Sequence, residues 1–176
     1  RLKLVSQPVP EVDSDLKTFM ADMLETMYDA NGIGLAAIQV GVAKRVAVID
    51  LDPGGPNSKP LYLINPRVVE ASGEMSPYHE GCLSVPEHYS DVARPATVRV
   101  RYLDRDGKQQ ELACEGLLAT CVQHEIDHLD GILFIDHISA LKRNMILRKL
   151  LKARKEAERD EADGKHAAKD KEPAAL

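Results

Sequence analysis

The sequence predicts an α+β fold: antiparallel sheets packed around a central helix bearing His124-Glu125-Ile126-Asp127-His128, with an N-terminal helix and a C-terminal helix. Three observations predict it. Apolar residues recur at helical spacing near the start, strand-like alternation fills the middle, and helical patterns return after residue 116. Strands followed by helices, rather than strict alternation of the two, point away from parallel βαβ units. The 176 residues, 44% of them hydrophobic, suffice for one well-filled core. Residues 1–158 read as a single domain, followed by a charged tail over 159–176.

The first helix is expected over residues 14–30. Leu16, Phe19, Met20, Met23, Leu24 and Met27 make one apolar stripe, Asp13 or Ser14 suits its start, and Asn31-Gly32 suits its end. The methionines read as ordinary core packing, since an unbranched thioether fills irregular gaps. Strands follow over 45–51 and 61–65, divided by the loop Pro53-Gly54-Gly55-Pro56-Asn57-Ser58. Val98, Val100 and Tyr102 alternate with Thr97, Arg99 and Arg101, giving one buried and one wet face. Asp106-Gly107 marks a hairpin turn, with the return strand over 109–113. A second helix is expected over 116–130, closing at Gly131, and a third over 139–158. The tail beyond has almost no large apolar residues and is expected to fray or stay disordered.

Composition excludes several functions. A net charge of −5, no Trp and 4% aromatics give no support for nucleic-acid binding or base stacking. No run of about 18 apolar residues offers a membrane span, and Arg1-Leu2-Lys3-Leu4-Val5-Ser6 lacks the apolar core of a signal peptide. Cys82, Cys114 and Cys121 are an odd number and too few for a disulfide framework. A reducing, cytoplasmic setting fits them, with any special cysteine acting as ligand or nucleophile.

The chemistry concentrates on the second helix. His124 and His128 are four residues apart, so both imidazoles project from one face and can reach one metal ion at about 2.0–2.1 Å. Glu125 is rotated about 100° from the first histidine, placed to hold water on the metal without ligating. Leu117, Leu118, Val122, Ile126 and Leu129 make the helix apolar on several sides, hence buried, and buried histidines need partners that a metal supplies. Two ligands are too few. The third candidates are Glu80-Gly81-Cys82-Leu83-Ser84-Val85-Pro86 and His137.

Three motifs then coincide in order. Gly32-Ile33-Gly34-Leu35-Ala36-Ala37-Ile38-Gln39, Glu80 to Ser84, and Gln123 to His128 with Gly131 resemble the GxGxAAxQ, EGCLS and QHExDHxxG motifs of peptide deformylases of the bacterial type. The resemblance implies that Cys82 is the third ligand beside His124 and His128, with water in an open fourth position. Fe(II) is the native metal it implies, with Zn(II), Ni(II) or Co(II) in substituted preparations. The implied reaction removes the formyl group from N-formylmethionine of nascent polypeptides and releases formate. Glu125 is the general base, while the Gln39 amide and the Leu83 backbone N–H hold the oxyanion. Gly34 permits close backbone approach, and the main chain at Ile33 and Gly81 pairs with an extended peptide. Leu117 and Cys121 share a helical stripe with His124 and His128 and are expected to line the methionine pocket.

Around the site, Glu80 and Arg94 are expected to pair and fix the EGCLS segment, with His79 and His88 at the surface, His137 structural and Cys114 a small buried thiol. The family opens with a further short segment containing Asp-Pro, which bears on N-terminal packing rather than on catalysis. Lys142, Arg143, Arg148, Lys149, Lys152, Arg154 and Lys155 make the last helix basic, which the resemblance connects with the ribosome near its exit tunnel. A monomer is expected. The rival readings are a zinc endopeptidase, which His-Glu-x-x-His alone permits, and a non-catalytic metal-stabilised ribosome adaptor, which would need a closed four-ligand site.

Overall fold

Asp13 accepts the Leu16 N–H on its side chain and so starts helix α1 (Ser14–Asp29) where the apolar stripe begins. The computed structural model describes residues 2–169, and side chains as far as residue 160. The stripe of α1 is buried as expected, with Leu16, Met20, Met23, Leu24 and Met27 packed on Leu35, Val46, Val48 and Ile64. Each such side chain contributes roughly 1.5–3 kcal/mol through its removal from water.

Strands β1 (Gly34–Ala36), β2 (Val46–Ile49), β3 (Leu61–Ala71), β6 (Thr97–Leu103) and β7 (Gln109–Glu115) form one antiparallel sheet in the order β1-β2-β3-β6-β7. All four residues of β2 are buried, Val46 and Val48 toward α1, Ala47 and Ile49 toward the other face. That opposite face is covered by helix α2 (Gly116–Leu129), whose Ala119, Cys121, Val122 and Ile126 pack on Ile49, Leu63, Val98 and Val100. A strand covered on both faces reads as a continuous apolar run, which is how 46–49 reads. Gly131 ends α2 at φ +73°, where a Cβ would press to 2.6 Å from the Lys3 carbonyl oxygen.

Three strands go beyond expectation. β3 runs on through Asn65-Pro66 to Ala71, with one register shift between Ile64 and Arg67 that absorbs the proline and another between Val68 and Glu70. Between β3 and β6, β4 (Met75–Cys82) and β5 (Val85–Pro95) form a separate two-stranded hairpin with Cys82 at its tip. Residues 75–79 of β4 are exposed, and the alternating buried positions 90, 92 and 94 of β5 hold Ser, Val and Arg, so no apolar periodicity betrays the hairpin in sequence.

The chain divides into units Arg1–Ile138 and Ser139–Leu176. Helix α3 (Ala140–Lys169) fills the described part of the second unit and runs past the expected end at 158. Alanine and charged helix formers continue beyond that point, and Lys152–Glu156 and Arg154–Glu158 pair one turn apart. Residues 170–176 of the expected tail lie outside the described residues. Among the described residues no helix is long and apolar enough to cross a membrane.

Asp50, directly after β2, is a buried carboxylate with four donors: Tyr28 Oη at 2.7 Å, Ser58 Oγ at 2.6 Å, and the N–H groups of Asp52 and Lys59. Burial pushes its pKa up, but these donors outweigh burial and hold it below the usual carboxylate value. A pKa lower in the folded than in the unfolded chain adds stability above about pH 4, which is lost as pH falls through the folded value. Asp50→Asn is therefore expected to lower unfolding free energy by about 1–3 kcal/mol at neutral pH, with the gap to wild type narrowing below about pH 4. Denaturant titrations across pH 3–7 check this; a gap independent of pH would refute it.

Candidate metal centre

Alternation along β4 puts Glu80 and Cys82 on the same face, toward α2. The Glu80 Oε2 accepts from His124 Nδ1 at 2.9 Å, while its two oxygens accept from Arg94 Nε at 2.6 Å and Nη2 at 3.0 Å. The expected Glu80–Arg94 pair thus forms, with both side chains about 5% exposed or less. An ionised carboxylate only accepts, so His124 carries its proton on Nδ1 and turns Nε2 toward Cys82. Burial pushes Glu80 up, but the His124 and Arg94 bonds prevail and keep it below its ordinary value.

The Cys82 Sγ lies 3.2 Å from His128 Nε2, and one donor atom from each of Cys82, His124 and His128 falls within 4.8 Å of the others. One ion about 2.3 Å from sulfur and about 2.0–2.1 Å from nitrogen can reach all three with small adjustments. Electrostatics agree. Burial opposes a charge on His124, yet its bonds to Cys82 and Glu80 raise it to about 10, whereas burial and the His124 charge depress His128 to about 3. Two buried polar atoms, Glu125 Oε2 and His128 Nδ1, have no hydrogen-bond partner among the described residues. The donor set of one thiolate and two imidazoles fits a divalent transition ion.

Glu125 is 4% exposed, and burial pushes its carboxyl up to about 7 despite the opposing charges of His124 and Arg94. Gly34 leaves room for it: a Cβ there would stand 2.4 Å from Glu125 Oε1 and 3.0 Å from Cys121 Sγ. Gln39 lies in a 3-10 turn (Ala37–Val40), where its Oε1 accepts the Ala36 N–H at 2.8 Å. That bond orients the amide and sends Nε2 to Ser84 Oγ at 3.0 Å, beside Cys82 Sγ at 3.7 Å.

A cavity of about 430 Å³ opens over these groups. Ile33, Gly34, Gln39, Gly81, Cys82, Leu83, Leu117, Cys121, His124 and Glu125 line it, and His128 stands behind at 1% exposure. The Ile33 carbonyl already accepts the Asp50 N–H at 2.9 Å and the Cys121 thiol at 3.8 Å, so a peptide would meet Ile33 through its N–H. His79 and His88, expected merely as surface residues, border the cavity, and His79 stacks on Tyr89. Cys114 is a buried thiol raised to about 11 by burial. His137 lies apart from the cluster, bonded to Asp127 at 2.7 Å. Sequence reading missed Ser84 and Asp127; the latter, one helical turn past His124, carried a spacing signal.

A family model described as polypeptide deformylase matches residues 1–144. The chain belongs to the peptide deformylase family. It is 58% identical over 154 residues to a peptide deformylase of Rhizobium meliloti, covering 88% of each chain. Among solved structures, peptide deformylase from Legionella pneumophila superimposes with a TM-score of 0.82 at 47% identity, covering 90% of this chain and 92% of that one. The Synechococcus elongatus member of the family, solved in complex with actinonin, gives 0.80 at 46% identity, covering 84% and 81%.

Cys82→Ala is expected to bring the metal content of the purified protein close to background, measured by elemental analysis. An undiminished content would remove the thiolate from the centre.

Proposed function

We infer that this chain removes the formyl group from N-formylmethionine at the start of nascent polypeptides, releasing formate. The observation that carries the reading is the convergence of Cys82, His124 and His128 beside a buried, elevated Glu125 at the floor of a cavity. Cys82, His124 and His128 would hold the ion, Fe(II) natively and Zn(II), Ni(II) or Co(II) in other preparations. When bound, it supplies Lewis acidity, which acidifies water and polarises the formyl carbonyl.

The remaining chemistry belongs to the chain. Glu125 accepts a proton at Oε2 from the attacking water and returns it to the leaving amine, a role its value near 7 suits. Gln39 Nε2 and the Leu83 N–H hold the developing oxyanion. Leu117 and Cys121 receive the methionine side chain at the apolar end of the cavity. Strand β1 is an edge of the large sheet and β4 has only β5 beside it, so the main chain at Ile33 and Gly81 can add a peptide as an extra strand. The cytoplasm, where nascent chains emerge, is the setting proposed, with the chain acting as a monomer. The basic residues of α3, from Lys142 to Lys155, support docking near the ribosomal exit tunnel.

Formate release from formyl-Met-Ala-Ser by anaerobically prepared protein tests the reading. Glu125→Ala is expected to keep its metal while kcat falls on the order of 10²–10⁴-fold; full activity would sink the mechanism. Gly34→Ala should displace the Glu125 carboxylate and cut kcat by roughly 10²-fold, with metal content preserved. Wild-type kinetics in that variant would mean the close approach has no bearing on turnover.

A further inference from the structure

The donors of the centre come from two separate elements. Cys82 sits on the β4–β5 hairpin and both histidines sit on α2, with no sheet ladder joining hairpin to helix. A two-stranded hairpin holds its own geometry poorly in water. Its placement against α2 has to come from side chains.

Gln123 of α2 donates through Nε2 to the Pro95 carbonyl at the end of β5 at 3.0 Å, and two further contacts, nearer the centre, form a closed loop. Glu80 of β4 accepts from His124, and Arg94 of β5 donates through Nη1 to Asp127 Oδ2 at 2.7 Å. Glu80 and Arg94 are bonded to each other, while Asp127 stands one helical turn beyond His124. This loop therefore clamps the Cys82 end of the hairpin to the helix at two points. A third residue closes the clamp from outside. His137 Nε2 donates to the same Asp127 Oδ2 at 2.7 Å. His137 directly follows the 3-10 turn Phe134–Asp136, whose Phe134 is buried and stacks on His124 at 6.4 Å between ring centroids. The segment that steadies Asp127 thus also packs on a ligand.

Resting on the reading of Cys82, His124 and His128 as a metal centre, we propose that Asp127 and His137 are positioning residues. They act through Arg94 and Glu80 to set the approach of the Cys82 thiolate to the two imidazoles. Neither residue need touch metal or substrate. Asp127 keeps the Arg94 guanidinium from swinging, Arg94 keeps Glu80 bidentate, and Glu80 fixes the ring of His124. Loss of such outer partners typically weakens metal binding about 10–100-fold.

The test uses the full chain loaded with Co(II), reading the thiolate-to-cobalt charge-transfer band and the Co(II) affinity by chelator competition. Cys82→Ala identifies the Cys82-dependent band. Asp127→Ala is expected to weaken Co(II) binding by about 10–100-fold and to shift that band. His137→Ala should move both in the same direction by less. His137→Gln, whose amide N–H can replace Nε2–H, should restore both. Asp50→Asn should lower Tm without touching either. Wild-type affinity and spectrum in His137→Ala and Asp127→Ala would overturn the proposal, as would an equal loss in Asp50→Asn, because affinity would then merely follow stability. Should Asp127→Ala fail to fold, the His137 pair decides alone. A cobalt band that survives Cys82→Ala would overturn the metal reading itself; a Cys82-dependent band unmoved by the clamp variants overturns this proposal only.

Discussion

A buried carboxylate must be satisfied on both oxygens, and in this chain Glu80 meets that demand with Arg94 and His124. Much of the site depends on this. The same bonds that make Glu80 tolerable inside the protein tie the Cys82 hairpin to the histidine helix and fix which nitrogen His124 turns to the centre. Buried ion pairs of this kind add little net stability over apolar packing. What Glu80 supplies is geometry.

The scaffold divides its labour accordingly. The large sheet, with α1 on one face and α2 on the other, is the rigid body, and its interior strand β2 has no exposed residue. The reactive groups gather where that body ends, between the short edge strand β1 and the tip of the hairpin. Edge strands keep unpaired backbone groups, which suits the capture of an extended peptide. Glu125 lies inward of that edge, dry enough that its carboxyl rises to about 7. A carboxyl near neutrality and an open strand edge thus come from the two sides of one cavity wall.

Much of this was legible in the residues. The helices at 14–30 and 116–130 and the strand pairs about Asp106-Gly107 follow from apolar spacing and turn chemistry, because both faces of those elements have plain environments. The β4–β5 hairpin was not legible. Residues 75–79 of β4 are exposed on both faces, and the buried face of β5 alternates through Ser90, Val92 and Arg94, of which only Val92 is apolar, so the alternation is invisible to an apolar pattern. The tail after residue 158 was read as a helix end that frays or stays disordered; α3 continues to Lys169, and lysine and glutamate at i, i+4 spacing, as in Lys152–Glu156, favour helix there.

By itself the sequence determined the donors and their pairing on one helix face, since four residues make about one turn whatever the rest of the chain does. It also named Cys82, Gln39 and Gly34 through their motifs. Only the tertiary structure decided how a thiolate 42 positions before the first histidine (124 − 82) comes within a few ångströms of it. The same holds for the Ala36 bond that aims Gln39 and for the link from Arg94 through Asp127 to His137. Those contacts join residues far apart in the chain. Their energies depend on burial and distance, which no local pattern carries.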